Sequence, residues 1–188
     1  MDASPRLNVL LYADEADIHL NPHLAYGWYR RGAPRNIPAA GTNQRRSLYG
    51  AFNPRTGRLI VHTVRRKSAE GFVQFLRGLL RAYRGKHVFL VADNGPVHTA
   101  GLVAQFLKTV KHRLTVIWLP RSSPNLNLIE RIWGHLKRSA LANIFYGTVA
   151  RLMVAIARAV RAFNDRSNKL MSLLFADFNH KKSKTQAA

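Results

Sequence analysis

The sequence predicts a single mixed α/β domain in which helices cover both faces of a five-stranded sheet. The chain of 188 residues, 47% of them hydrophobic, is long enough for one sizeable core and short for two domains of ordinary size. Five short runs have the composition of strands, and four longer segments repeat apolar residues at helical spacing. One of those helices lies between the last two strands, which predicts a parallel crossover.

The first strand is predicted over Asn8 to Ala13, a short apolar run that we expect to end at the carboxylates Asp14 and Glu15. A loop rich in His, Gly, Pro and Arg is expected to follow it, from about His19 to Asn43.

A β-hairpin is predicted by two β-prone runs, Arg46 to Phe52 and Arg58 to Val64. The segment between them, Asn53 to Gly57, combines Asn, Pro and Gly, residues that favour a reversal of the chain. The first three strands are therefore expected to be antiparallel neighbours.

A helix is expected to begin after Ser68, a residue type that caps helices, and to end near Gly85. Its apolar side chains recur at helical spacing at Phe72, Phe75, Leu76, Leu79, Leu80 and Tyr83. The segments His87 to Ala92, Thr99 to Val110 and Leu114 to Leu119 then indicate a strand, a helix and a strand, with both strands parallel and buried.

Two more helices are predicted, from about Asn127 to Asn143 and from about Thr148 to Phe163. We place one domain over residues 1–178 and expect the basic end, residues 179–188, to be a disordered tail because it has little to bury. The order β-β-β-α-β-α-β-α-α is the one expected of a ribonuclease H-like fold of the retroviral-integrase type.

The charge of the chain points to a polyanionic partner. Thirty Lys and Arg against nine Asp and Glu give a formal charge of +21, and phosphates neutralise such a surplus with release of counterions. A membrane surface fits less well, because no segment pairs a basic face with a large apolar one. The lack of cysteine, of a signal peptide and of a bilayer-length apolar run predicts a cytoplasmic, nucleoid-associated protein.

Three of the few acidic residues share a setting. Asp14 follows the first strand, Asp93 follows the fourth, and Glu130 lies at the start of a helix, so the three can converge at one edge of the sheet. Clustered carboxylates repel one another unless cations lie between them, and two Mg²⁺ ions, or Mn²⁺, suit oxygen ligands and phosphodiester chemistry.

Each carboxylate also has a structural alternative. Asp14 fits a solvated strand end, and Asp93 fits a turn, because Asp-Asn-Gly-Pro is favourable turn chemistry by itself. Asn127 and Glu130 have the spacing of a capping box, with Asn at the N-cap and Glu at the third helical position.

Three blocks of sequence resemble the DDE transposases of the mariner-type insertion-sequence superfamily. The first is Tyr12-Ala13-Asp14-Glu15 with the Trp-containing segment 27–32 downstream, and the second is the segment 91–98, VADNGPVH. The third and most specific is the segment 119–133, LPRSSPNLNLIERIW, and its distance from Asp93 is in the range that this superfamily uses.

The resemblance implies a DNA transposase catalytic domain that hydrolyses a phosphodiester at a transposon end and joins the freed 3′-OH to target DNA. By the same match, Asp14 rather than Glu15 binds metal together with Asp93 and Glu130. Insertion at TA and a homodimer in the synaptic complex are also implied. Because family members usually carry helix-turn-helix modules before the first catalytic strand, we expect a truncated element or a separately encoded N-terminal DNA-binding half.

Further residues are placed around this site. We expect Glu15, Asn94, His98 and Asn127 to be its neighbours, and His98 to orient a phosphate or to be structural. Trp133 is expected to pack in the core. The predicted DNA contacts combine basic and aromatic side chains: Trp28, Arg30, Arg31, Arg35, Arg45, Arg46, Arg121 and Lys137.

Two other functions remain open at this stage. Another nuclease of the ribonuclease H-like fold would cut DNA without joining strands. A non-catalytic remnant would keep only a basic DNA-binding surface, and loss of at least one carboxylate would be expected in it.

Overall fold

The computed structural model describes residues 8–32, 36–120 and 126–174, and these contain a mixed five-stranded sheet with strand order β3-β2-β1-β4-β5. β1 is antiparallel to β2, and β2 is antiparallel to β3, whereas β1, β4 and β5 run parallel. The strands are β1 (Asn8–His19), β2 (Arg45–Phe52), β3 (Leu59–Val64), β4 (His87–Ala92) and β5 (Leu114–Trp118). The predicted fold class is confirmed.

Helices cover both faces of the sheet. They are α1 (Ala69–Ala82), α2 (Gly101–Val110), α3 (Ile129–Leu136), α4 (Val149–Asp165) and α5 (Ser167–Leu174), with a π-helical turn (Lys137–Leu141) continuing α3. The sequence predicted only two helices after β5, and α5 was missed. Among the described residues, no helix is long and apolar enough to cross a membrane.

Two hydrophobic cores lie on opposite sides of the sheet. Leu11 and Ala13 of β1 face α1 and α2, whereas Ala16 and Ile18 face α3 and α4. Because successive side chains of a strand point to opposite faces, one strand supplies both cores. This alternation also decides which face each functional side chain of β1 occupies.

The hairpin and the cap of α1 follow the sequence prediction. Asn53 Oδ1 accepts hydrogen bonds from the backbone N–H groups of Arg55 and Thr56, and Gly57 closes the turn with φ of 68°. At the start of α1, Ser68 Oγ accepts a hydrogen bond of 3.0 Å from Gly71 N.

The first strand is longer than predicted. β1 continues through Asp14 and Glu15 to His19 because it pairs with β2 as far as His19↔Arg45, although its pairing with β4 stops at Tyr12↔Val91. The two carboxylates therefore lie inside a strand, on opposite faces of the sheet, just beyond the point where β4 ends.

The predicted helix from Asn127 to Asn143 is shorter, and the alternative of a capping box formed by Asn127 and Glu130 is not found. α3 begins at Ile129 and has Leu128 at the N-cap position, without a side-chain cap. The Asn127 side chain instead bonds to β1. The predicted tail, residues 179–188, and the domain boundary at 178 lie outside the described residues.

Candidate active site

Asp14 and Asp93 occupy neighbouring positions, Asp14 within β1 and Asp93 directly after the end of the parallel strand β4. The β1–β4 register pairs Tyr12 with Val91, and its continuation places Asp14 level with Asp93. The expected convergence of these two positions is a direct result of the parallel pairing.

The start of α3 is held against β1 next to Asp14. Asn127 Nδ2 donates a hydrogen bond of 2.9 Å to the carbonyl oxygen of Ala13, and Glu130 N donates one of 3.2 Å to the carbonyl oxygen of Asn127. The buried amide of Asn127 therefore links the residue before Asp14 to the turn that carries Glu130.

The body of α3 lies directly on the sheet at Gly50. Gly50 is the β2 partner of Asp14, and a Cβ there would be only 2.6 Å from Trp133 Cη2 and 3.0 Å from Ile129 Cδ1. Trp133 is buried, which confirms its predicted place in the core. Only glycine allows this close approach, which sets the distance between α3 and Asp14.

The charges around Asp14 favour either a proton or a cation at this carboxylate. Burial, followed by the charge of Glu130, raises the pKa of Asp14 from 3.8 to about 7; Glu15 and Asp93 add to the rise, against a hydrogen bond from the backbone of Glu15. Carboxylates that repel one another in this way are stabilised by a cation, and oxygen donors suit Mg²⁺ or Mn²⁺. The side chains of the site therefore fit a divalent metal.

His98 lies on the α1–α2 side of the sheet, between Glu15 and Asp93. Its Nε2 is 3.0 Å from Glu15 Oε1, and its Nδ1 is 2.6 Å from Asp93 Oδ1 and 3.0 Å from the Asp93 carbonyl oxygen. The side chain is only 3% exposed, with the rings of Phe72 and Trp118 beside it. Burial lowers the pKa of His98, but Glu15 and Asp93 outweigh it, so that the net shift is upward.

The other predicted neighbours differ in exposure. Asn94 is exposed, whereas Asn127 is buried and its Oδ1 has no hydrogen-bond partner within the described ranges. Glu130 is exposed at the first turn of α3.

The predicted DNA contacts are spread over several elements. Trp28 is fully exposed at 102%, and Arg30 and Arg31 beside it are exposed as well. Arg45 and Arg46 begin β2, and Lys137 begins the π-helical turn. Arg35 and Arg121 lie outside the described residues.

The aromatic loop that follows β1, residues 25–29, is fixed to the body of the domain by Asn143. The Asn143 side chain accepts a hydrogen bond of 3.0 Å from Ala25 N and donates bonds of 2.8 Å to Ala25 O and 2.9 Å to Tyr29 Oη. Asn143 adopts φ of 58°, a conformation that Asn tolerates better than most residues.

Sequence reasoning missed Gly50 and Asn143. A glycine inside a strand is a known sign of close approach by another element, so Gly50 could have been found. No signal in the sequence connects Asn143 with Ala25, because the contact depends on tertiary structure.

This mixed sheet, with helices on both faces and clustered carboxylates at a strand end, defines a ribonuclease H-like catalytic domain. The chain belongs to the DDE superfamily endonuclease family, whose model matches residues 9–153.

Two relatives illustrate the likeness. An uncharacterized 39 kDa protein of insertion element IS630 from Shigella sonnei is 33% identical over 135 residues, covering 71% of this chain and 39% of that protein. The Tc3 transposase of Caenorhabditis elegans is 38% identical over 96 residues, covering 50% of this chain and 28% of that protein. The chain thus spans well under half the length of these relatives.

The fold is also found in a solved transposase. The Mos1 transposase in its paired-end complex with the left transposon end superposes with a TM-score of 0.60 at 18% identity, covering 91% of this chain and 56% of that chain. At this identity, the likeness establishes the fold.

Proposed function

We propose that the chain is the catalytic domain of a DNA transposase and that Asp14, Asp93 and Glu130 are its metal ligands. The observation that carries the proposal is that the charges of Glu130 and Asp93 both raise the pKa of the buried Asp14, in a chain with only nine acidic residues. Their placement on β1, at the end of β4 and on α3 supports one shared site.

Mg²⁺ or Mn²⁺ is the proposed cofactor, and two ions are expected. When bound, such ions would help to activate a nucleophilic oxygen and to stabilise the leaving 3′ oxygen of a phosphodiester. Paired-end complexes of the Mos1 mariner transposase with Mn and with Mg support the choice.

The protein side chains have separate tasks in this proposal. Asp14 would give up its proton when a metal ion binds, because burial and the charge of Glu130 favour the neutral carboxyl only while no cation compensates its charge. Gly50 and Asn127 hold α3 so that the Glu130 carboxylate approaches from the face opposite His98.

DNA is the proposed substrate and partner. The exposed Trp28, Arg30 and Arg31 are suited to stacking on bases and pairing with phosphates, and the +21 charge favours any DNA backbone. Association with nucleoid DNA follows. A homodimer at paired ends, TA target sites and a separate N-terminal DNA-binding half are further parts of the proposal.

A strand-joining assay tests it. The chain is incubated with a labelled duplex ending in a free 3′-OH, a plasmid target and Mg²⁺ or Mn²⁺. Joined product is expected. Hydrolysis without joining would indicate another ribonuclease H-like nuclease, and salt-sensitive binding with neither reaction would indicate a non-catalytic remnant.

A further inference from the structure

We propose that Glu15 and His98 form a positioning pair that fixes the carboxylate of Asp93 from the side of the sheet opposite Asp14 and Glu130. This inference rests on the proposed function, in which Asp93 holds a metal ion. It gives the second acidic residue of the Asp14-Glu15 pair a task distinct from metal binding.

The contacts of His98 fix which atom of Asp93 is free. Nδ1 lies 2.6 Å from Asp93 Oδ1 and 3.0 Å from the Asp93 carbonyl oxygen, which can only accept. Nδ1 therefore carries a proton and donates it to both oxygens. Since Gly95 N also points to Oδ1, at 3.4 Å, the Oδ2 atom is left to act as a ligand.

Asp93 needs such support because of its location. Its side chain is 53% exposed and follows the last residue of β4, where the sheet no longer restrains it. A carboxylate that ligates a metal is normally oriented by hydrogen bonds from its surroundings. His98 supplies that restraint.

The imidazole of His98 is itself held rigidly. The ring is buried with its centroid 4.3 Å from that of Phe72 and 6.3 Å from that of Trp118. Glu15 Oε1 accepts from Nε2 at 3.0 Å, so both ring nitrogens have fixed partners. The chain of contacts runs from Glu15 through the ring to Asp93.

Glu15 is placed to act through His98. Its side chain is only 9% exposed and points to the face of Leu11 and Ala13, because side chains alternate along β1. Asp14, one residue earlier, points to the other face. The two adjacent carboxylates thus lie on opposite faces of the sheet, and Glu15 acts on Asp93 through the His98 ring.

Glu15, Asp93 and His98 could alternatively hold a metal themselves, since their ligand atoms lie within 4.8 Å of one another. The positions of the two nitrogens of the His98 ring argue against direct metal binding by these residues. An ion bound to Nε2 would lie on the Glu15 side, away from Asp93, and the protonated Nδ1 cannot ligate. Direct metal binding by the pair is accordingly the competing outcome of the test.

The test is Mn²⁺ affinity and stoichiometry, measured by calorimetry on the 188-residue chain. His98→Phe keeps a ring beside Phe72 but removes both donors, so that Mn²⁺ affinity is expected to fall about 10- to 100-fold with stoichiometry unchanged. His98→Asn, whose amide nitrogen can replace Nδ1, is expected to recover part of the loss. Asp17→Asn is the matched control, because Asp17 lies on the same face of β1 but contacts Ser47 and Lys67.

A double-mutant cycle separates positioning from ligation. If Glu15 acts through His98, Glu15→Gln as a single substitution weakens Mn²⁺ binding. In the His98→Phe background the same substitution causes no further loss of Mn²⁺ affinity. The proposal is overturned if the losses of Mn²⁺ affinity caused by Glu15→Gln and His98→Phe are fully additive. It is also overturned if either variant binds one Mn²⁺ ion fewer than the wild type, or if both single variants bind Mn²⁺ with wild-type affinity. Should His98→Phe fail to fold, Glu15→Gln and His98→Asn provide the same comparison.

Failure of the proposed function would look different. In that case the wild-type chain binds no Mn²⁺, or Asp14→Ala and Asp93→Ala bind it as well as the wild type does, and both proposals fall together. Wild-type binding that depends on Asp93 but not on His98 or Glu15 overturns the positioning pair alone.

Discussion

Trp133 lies directly over Gly50, the β2 residue that pairs with Asp14. A helix can approach a sheet this closely only where a side chain is missing. The glycine thereby fixes the height of α3 above the sheet and the position of Glu130 relative to Asp14.

Gly50→Ala is expected to destabilise the fold by about 1 to 3 kcal/mol, because the added methyl group would overlap the Trp133 ring. Displacement of α3 should also reduce DNA cleavage. Urea denaturation and a cleavage assay check both effects.

Gly78→Ala is the matched control for that substitution. Gly78 lies in α1 with nothing within 4 Å of an added Cβ, so alanine should stabilise the helix by about 0.5 to 1 kcal/mol and leave cleavage unchanged. Equal effects of the two substitutions would contradict the role assigned to Gly50.

Asn127→Asp should impair the site through loss of a donor. The substitution replaces the Nδ2 that bonds to Ala13 with an oxygen, leaves a buried carbonyl unpaired and costs about 1 to 3 kcal/mol. Asn21→Asp is the control, since Asn21 makes the same type of bond to Thr42 at an exposed position. Comparable stabilities of the two variants in urea would argue against a structural link between α3 and β1 at Asn127.

Asp14→Asn should stabilise the metal-free protein at pH 8. The pKa of Asp14 is raised from 3.8 to about 7, so the folded state holds this proton more tightly than the unfolded state does. That contribution to stability is complete below about 3.8 and is lost as the pH rises through 7. The variant should gain about 4 kcal/mol at pH 8 and less than about 1 kcal/mol at pH 4.

Denaturation in EDTA at both pH values measures the difference. Adding Mg²⁺ should stabilise the wild type, because a ligand of the folded state shifts unfolding, and should have little effect on Asp14→Asn. A wild type at least as stable as the variant in EDTA at pH 8 would contradict the raised pKa.

The loop containing Trp28 should contribute to DNA affinity through its cations. Replacing Arg30 and Arg31 with alanine is expected to reduce affinity and to lower the slope of log K against log salt by about 1 for each lost phosphate contact. Arg158→Ala removes one charge from the exposed surface of α4 and is expected to change the slope less per charge. Equal slope changes per charge would indicate that net charge alone attracts DNA.

Much of the fold could be predicted from the sequence because most strands are short apolar runs and the helices repeat apolar residues at helical spacing. The end of β1 could not be predicted from composition. Asp and Glu are uncommon in strands, so the sequence suggested a stop at Asp14, whereas pairing with β2 carries the strand on to His19.

The candidate site was proposed from carboxylates at predicted strand ends and from the family resemblance, whereas the contacts made by its predicted neighbours could not be foreseen. The alternative of a capping box at Asn127 failed because α3 begins at Ile129, and the Asn127 side chain instead donates a hydrogen bond from Nδ2 to the carbonyl oxygen of Ala13. His98 was expected near the site, but its bond to Glu15 depends on the face that Glu15 occupies, which only the full length of β1 determines.

DNA cleavage by carboxamide variants measures the central claim, that Asp14, Asp93 and Glu130 form one metal-dependent active site. Cleavage of a labelled duplex by the wild type, Asp14→Asn, Asp93→Asn and Glu130→Gln is compared with that by Asp165→Asn, an exposed carboxylate at the end of α4. Each of the three site variants should lose at least about 100-fold in Mg²⁺- or Mn²⁺-dependent rate, and Asp165→Asn should cleave like the wild type. Wild-type cleavage by any one of the three would contradict the shared site.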